Sequence, residues 1–302
     1  MKTIKKITLC LVLLIAGSTD SVMAQLDPMG AQYFQNQYLA NPAMAGQEAG
    51  LVLNGGFRKQ YSTLPGAPTT QTLTGGYQMS SRVGWGLNLY NDRAGLIKKT
   101  RVMGSYSYGL PLNEEGGQLR FGISLGFMNE RISYDDIEGD QGDVIVGRFN
   151  ERETYLDGDF GIAYTGSRLN VQAAIPNMKS FFGTDENNTI DRATFFSSVS
   201  YKWNIAAGSA TLEPKLVFRG VKGHDNLVDA GANFMMANDQ LIFTGMYHSS
   251  RSATFGMGVN YNKTLTLTGM YTTETAAMQS YANGNFEIGL KYSFVKAAKS
   301  QE

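Results

Sequence analysis

Through most of the chain, apolar residues recur at every second position. Phe121, Ile123, Leu125 and Phe127 alternate with Gly122, Ser124 and Gly126, and Val83, Trp85, Leu87 and Leu89 alternate with Gly84, Gly86 and Asn88. The same rhythm carries Phe255 to Tyr261, Leu265 and Leu267 between threonines, and Phe286 to Phe294 near the end. A period of two is the signature of a strand with two unlike faces. Here one face is large and apolar, and the other is Gly, Ser, Thr, Asn or charged. The pattern predicts about fourteen strands, at 50–60, 68–79, 82–91, 97–110, 117–131, 154–166, 168–175, 192–204, 210–221, 227–237, 240–248, 252–261, 264–272 and 284–295. A soluble sandwich shows the same alternation, so length decides. Most segments match the roughly 9 to 11 residues of a tilted strand crossing a bilayer and exceed the roughly 5 to 6 of an ordinary strand. The fold expected is all-β, a transmembrane antiparallel β-barrel of about 14 strands, with about 12 as the alternative.

The connections sort by parity. Ser80-Ser81, 113–116, Gly166-Ser167, 205–209, Asn238-Asp239 and Asn262-Lys263 are brief, whereas the intervening set holds the long stretches 132–153 and 176–191. Ser249 to Arg251 is the short member of that second set. Short turns on one side and longer loops on the other is the outer-membrane arrangement, with the short side periplasmic.

Composition agrees. Of 302 residues, 17% are charged and 35 are glycine, against roughly 25% charged and 7% glycine on average. Zero formal net charge gives a polyanion no field to follow, so no nucleic acid is expected as a partner. Lys2, Lys5 and Lys6 precede an apolar run from Ile7 to Gly17, and Val22-Met23-Ala24 precedes Gln25. These features predict a signal peptide over 1–24. The single cysteine, Cys10, falls within it, preceded by Leu9 rather than a small residue. Neither lipidation nor a disulfide framework is therefore expected. Beyond the leader no apolar run reaches the roughly 18 residues of a membrane helix. The expected organisation is signal peptide 1–24, an N-terminal periplasmic or plug segment 25–49, a barrel 50–295 and a tail 296–302, located in the cell outer membrane.

Residues 25–46 break the strand rhythm. Asp27-Pro28 and Asn41-Pro42 are turn initiators, and between them Tyr33, Gln37 and Tyr38 suit one face of a short helix. Asp27-Pro28, Gln32-Tyr33 and Asn41-Pro42-Ala43-Met44-Ala45-Gly46 resemble the mature start of the PorP/SprF family of outer-membrane proteins of the type IX secretion and gliding machinery. Two later blocks agree: Arg58-Lys59-Gln60-Tyr61 with Gly66-Ala67-Pro68-Thr69-Thr70, where Tyr61 replaces the usual tryptophan, and Gly84-Trp85-Gly86-Leu87 with Asn91-Asp92-Arg93-Ala94-Gly95 and Tyr106-Ser107-Tyr108. The resemblance spans the mature chain. It implies a barrel that works with periplasmic ring proteins to export or retain adhesins through their C-terminal domain. Glu287-Ile288-Gly289-Leu290-Lys291-Tyr292-Ser293-Phe294 resembles the signal read by the barrel-assembly machinery, with Gly289, Tyr292 and Phe294 at its marked positions, although eight residues follow Phe294.

The candidate partner-binding residues are thus Asp27, Pro28, Gln32, Tyr33, Asn41, Pro42 and Gly46; the prolines and Gly46 equally suit routing the chain into the first strand. Arg58, Asp92 and Arg101 are candidates for an inward charge network, which serves barrel shape as readily as cargo. Glycine pairs within strands, Gly55-Gly56 and Gly75-Gly76, suggest bends or close packing. Catalysis is not expected: His248 and Ser249 are adjacent in a strand and point to opposite faces, and His224-Asp225 is the only other imidazole site. No cofactor or metal is expected. The acidic run Asp135, Asp136, Glu138, Asp140 and Asp143 lacks the ligand order of a calcium loop. The chief alternative function is an outer-membrane channel or hydrophobic-solute transporter, which a barrel of about this strand number also suits; outer-membrane lipids are an expected partner under either reading.

Overall fold

The computed structural model describes residues 31–61, 66–114, 116–132, 154–179, 194–205, 209–221, 226–273 and 283–294. The strands are β1 (Leu51–Lys59), β2 (Thr69–Gln78), β3 (Val83–Ala94), β4 (Ile97–Pro111), β5 (Gln118–Ile132), β6 (Tyr155–Thr165), β7 (Leu169–Ile175), β8 (Thr194–Tyr201), β9 (Trp203–Ile205), β10 (Ala210–Val221), β11 (Leu227–Met236), β12 (Leu241–His248), β13 (Ser252–Tyr261), β14 (Leu265–Thr272) and β15 (Asn285–Phe294). Every pairing is antiparallel, β1 pairs with β15, and β10 pairs with β11, so the sheet closes on itself. Closure satisfies every ladder, which is what allows strands to stand in lipid.

The barrel has fourteen staves, because β8 and β9 lie along one stave interrupted at Lys202. β8 pairs with Lys215–Val221 and β9 with Ala210–Leu212 of β10. Between those stretches lies Pro214, which has no N–H to donate to the ladder. The expected single segment 192–204 is therefore one stave in two pieces.

The apolar face of each stave points outward. Trp85, Leu87, Phe121, Ile123, Leu125, Phe127, Phe255, Met257, Leu267, Phe286 and Ile288 are all exposed large side chains. Such a continuous apolar exterior belongs against acyl chains rather than water. The in-phase small and polar residues, among them Thr74, Ser107, Ser124, Gln172 and Thr268, are buried inside.

One rim carries the short turns, at Met79–Arg82, Gly166–Arg168, Ala237–Gln240 and Asn262–Thr264. Asn262 and Lys263 both have positive φ, 51° and 56°, the geometry of a hairpin turn whose twist matches its strands. The other rim carries Gly95-Leu96 and Ser249–Arg251 and the connections after β5 and β7, most of which fall outside the described residues.

Candidate functional site

The chain ahead of β1 lies inside the barrel. Two short 3-10 turns, Gln37–Leu39 and Pro42–Met44, shape it, and Asn41 caps the second by accepting a hydrogen bond from the Ala43 N–H at 2.9 Å. Pro42 sits at the first position of its turn, where a missing N–H costs nothing. The Ala31 N–H donates to Glu287 Oε2 at 2.9 Å and the Tyr33 hydroxyl to Asp229 Oδ2 at 3.0 Å. Glu287 and Asp229 are each the third residue of their strand, near the long-connection rim. Ala45 and Gly46 pack on Gly84 and Tyr77, beside the short-turn rim. Residues 31–46 therefore descend the lumen from one rim toward the other before the chain enters β1.

The wall has a trough to receive them. A β-carbon at Gly122 would come within 2.1 Å of the Ala43 nitrogen, one at Gly84 within 2.2 Å of the Ala45 oxygen, and one at Gly86 within 2.5 Å of the Tyr38 ring. Gly56 faces Gln32 in the same way and Gly161 faces the Asn41 amide. Gly46 completes the fit from the other side, with φ +58° and a Tyr77 oxygen 2.4 Å from where its β-carbon would stand. Only glycine lets two backbones approach this closely, and only glycine adopts that φ without cost.

Hydrogen bonds fix the seated segment to eight strands. Asn36 donates to Thr74 (2.9 Å), Tyr38 to Ser105 (2.6 Å), and the Asn41 amide to the Ile162 carbonyl (3.1 Å) and Gln172 (3.4 Å). Burial pushes the Tyr38 phenol up from its ordinary value, so it remains a neutral donor. Buried carbonyls of the segment are met by cations: Arg120 donates to Ala43 O at 2.9 Å and Ala45 O at 3.2 Å, and Lys215 donates to Tyr33 O at 2.7 Å. Arg120 is 2% exposed. A buried guanidinium against backbone carbonyls joins charge to the strongest neutral acceptors available.

Asp229, fully buried, collects Tyr33, Arg219 (2.8 Å) and His248 Nδ1 (2.7 Å). His248 Nε2 bonds Thr254 at 2.8 Å, and Thr254 bonds Thr272 at 2.7 Å. The Asp–His–Thr order has the form of a hydrolytic relay. Thr254, however, is 0% exposed and its hydroxyl is already shared, so no carbonyl carbon has room to approach. The relay is a clamp on Tyr33. Ser249 turns away and accepts from the Val228 N–H at 3.0 Å.

Among the residues singled out from sequence, Gln32, Tyr33, Asn41, Pro42 and Gly46 converge in this lumenal segment, while Asp27 and Pro28 lie outside the described residues. Arg58 and Asp92 flank Thr70 in one row of the sheet, and Arg101 is directed elsewhere. Arg101 pairs with Asp159 of β6, Asp92 accepts from Thr70 at 2.6 Å, and Arg58 stands across from Thr70 and Glu287 in register. Gly289 faces inward, and Tyr292 and Phe294 face lipid at the β1–β15 seam, opposite Leu53 and Leu51, with ring centroids 4.5 Å apart. Sequence reasoning missed Arg120, Lys215, Asp229 and His248 as anchors. Their signal was a charge in phase with the small polar face of a strand. Among the described residues no three His, Cys, Asp or Glu side chains converge as metal ligands; His224 and the acidic run 135–143 lie outside them.

These features define an outer-membrane β-barrel whose lumen is occupied by its own N-terminal segment. A family model described as type IX secretion system membrane protein PorP/SprF matches residues 22–292. The chain belongs to the PorP/SprF family. Comparison with curated proteins yields no match. Among solved structures, the chain is similar to the Acinetobacter baumannii outer membrane protein Omp33, at 9% identity and TM-score 0.49, covering 82% of this chain and 100% of that one. It is also similar to KdgM porin, at 11% identity and TM-score 0.39, covering 80% and 99%. A triple mutant of the Rhodopseudomonas blastica porin aligns at 12% identity and TM-score 0.36, covering 81% and 99%.

Proposed function

We propose that this barrel is the outer-membrane attachment point of the type IX machinery, exported by the leader at 1–24, that anchors or exports surface adhesins through their C-terminal domain. Its short-turn rim faces the periplasm and contacts the ring proteins there. Family membership supports the setting, and the parity of the connections supports the orientation. The observation that carries the reading is the seated segment 31–46, held by Arg120, Lys215 and Asp229. A lumen filled this way favours an adaptor over an open channel.

The test deletes residues 26–40 and follows barrel assembly and cargo retention separately. Loss of retention with normal heat-modifiable migration is expected; unchanged retention with normal assembly would overturn the role given to the segment. In planar bilayers the intact barrel should conduct little, and a large steady conductance would instead support the channel reading. Affinity purification from outer membranes should recover ring proteins and a cargo C-terminal domain.

A further inference from the structure

The seated segment fills only part of the lumen. Beneath it, toward the short-turn rim, the wall from β7 to β15 and the start of β1 enclose a cavity of about 440 Å³, within the range of sites that hold small ligands. Residues 32–38 form its roof. Amides are the commonest group in its lining, with Gln35, Asn170, Asn233 and Asn260 among them, and the carbonyl oxygens of Gln35 and Asn260 have no donor among the described residues. The two carboxylates that also line it are taken up, Glu48 by Lys291 and Glu213 by the Ser200 hydroxyl. At its mouth stand Arg168 and Lys202, exposed and joined through the Lys202 N–H to the Arg168 carbonyl at 2.9 Å. Among the described residues neither side-chain head has an acceptor.

We propose that this cavity is a docking site for a short acidic stretch of extended polypeptide entering from the short-turn rim. Arg168 and Lys202 would hold its carboxylates, and the amides its peptide groups. A side-chain amide carries a donor and an acceptor together, as a peptide group does, so an amide-lined wall matches a backbone along its length. The adjoining wall already reads polypeptide in this manner: Lys215 and Arg120 take the carbonyls of Tyr33, Ala43 and Ala45, and the Asn41 amide bonds a strand carbonyl. The cations at the mouth select acidic sequence over neutral. This deepens the adaptor reading and rests on the short-turn rim facing the periplasm.

Because Cys10 is the only cysteine, single labels can be placed cleanly. The full barrel in detergent is labelled with a fluorophore at Ser167→Cys, beside Arg168, or at Leu96→Cys on the opposite rim. The probe is an N-acetylated Asn-Gly-Asn-Asp-Asp peptide with a free carboxylate and a quencher, compared with its Asn-Gly-Asn-Asn-Asn amide and with an oligoglucuronate. The acidic peptide should quench the first label and leave the second unchanged. Its affinity should fall about tenfold or more in Arg168→Gln/Lys202→Gln, the loss of charge-assisted hydrogen bonds, with heat-modifiable migration unaltered. Equal binding of the neutral peptide, unchanged affinity in the double variant, quenching at Leu96→Cys alone, or binding of oligoglucuronate without the acidic peptide would each overturn the proposal. So would a folded barrel that binds none of the three. Since the measurement uses the isolated barrel, it is decided independently of whether secretion proteins co-purify.

Discussion

Glycine lines both halves of the lumen wall, and does different work in each. On the β1–β6 side, Gly56, Gly84, Gly86, Gly122 and Gly161 are backed by residues 32–45, so their missing side chains are space given to a second piece of chain. On the β11–β15 side, a β-carbon at Gly256 would meet Met270, and one at Gly258 or Gly289 would meet Thr268. Those glycines give space to neighbours in the wall itself. The first half is a seat and the second is a self-packed wall that leaves the cavity open before it. Counting glycines does not separate the two uses; what stands behind each one does.

The sharpest way to break this contrast is Gly122→Val. Its side chain would fall on the backbone at Pro42-Ala43, an overpacking of about 3 kcal/mol. The segment should leave its seat, seen as new protease cleavage within 31–46 and increased bilayer conductance. Gly256→Val should leave both readouts unchanged, because only the flexible Met270 side chain stands within 3 Å. Removing Arg120's head by Arg120→Met strands the buried Ala43 carbonyl and leaves that of Ala45 to the Ser107 hydroxyl alone, and should weaken docking by about 2 kcal/mol, measured as faster amide exchange at Ala43 to Gly46. Asn41→Ala removes the cap and the bonds to Ile162 and Gln172, for about 1 kcal/mol, read by the same exchange. At the small end, Gly55→Ala, on the lipid-facing side with nothing within 4 Å, should change urea unfolding by no more than about 0.5 kcal/mol. Its neighbour Gly56 faces the ends of the Gln32 and Thr72 side chains, which must shift, so Gly56→Ala should cost more than Gly55→Ala and less than Gly122→Val.

The staves were legible because lipid outside and packed polar groups inside impose the period of two on every strand. Leu265–Thr272 and Asn285–Phe294 follow it almost without interruption. The break at Lys202 was not legible, since its cause sits in the next stave at Pro214. Residues 31–46 were legible as something other than strand, from Pro42 and the Asn/Gln run, and three of their glycine partners sat in plain view as Gly84, Gly86 and Gly122. Their meaning depends on contacts far apart in sequence. Arg120 with Ala43, and Asp229 with Tyr33, announce themselves locally only as charges on a small-residue face. Arg58, Asp92 and Arg101 were legible as inward charges, but that Arg101 reaches two staves away to Asp159 is written in no local pattern.

The contacts of Ala31 and Gln32 bear on the closure of the ring. Ala31 holds Glu287 of β15 while Gln32 lies on Gly56 of β1, so one dipeptide bridges both edges of the seam that joins the first and last staves. Joining the first and last staves is the longest loop closure in the molecule, and its entropic cost grows with the logarithm of the chain between them. A segment that touches both edges from within lowers that cost, because each edge is held against the same short stretch of chain.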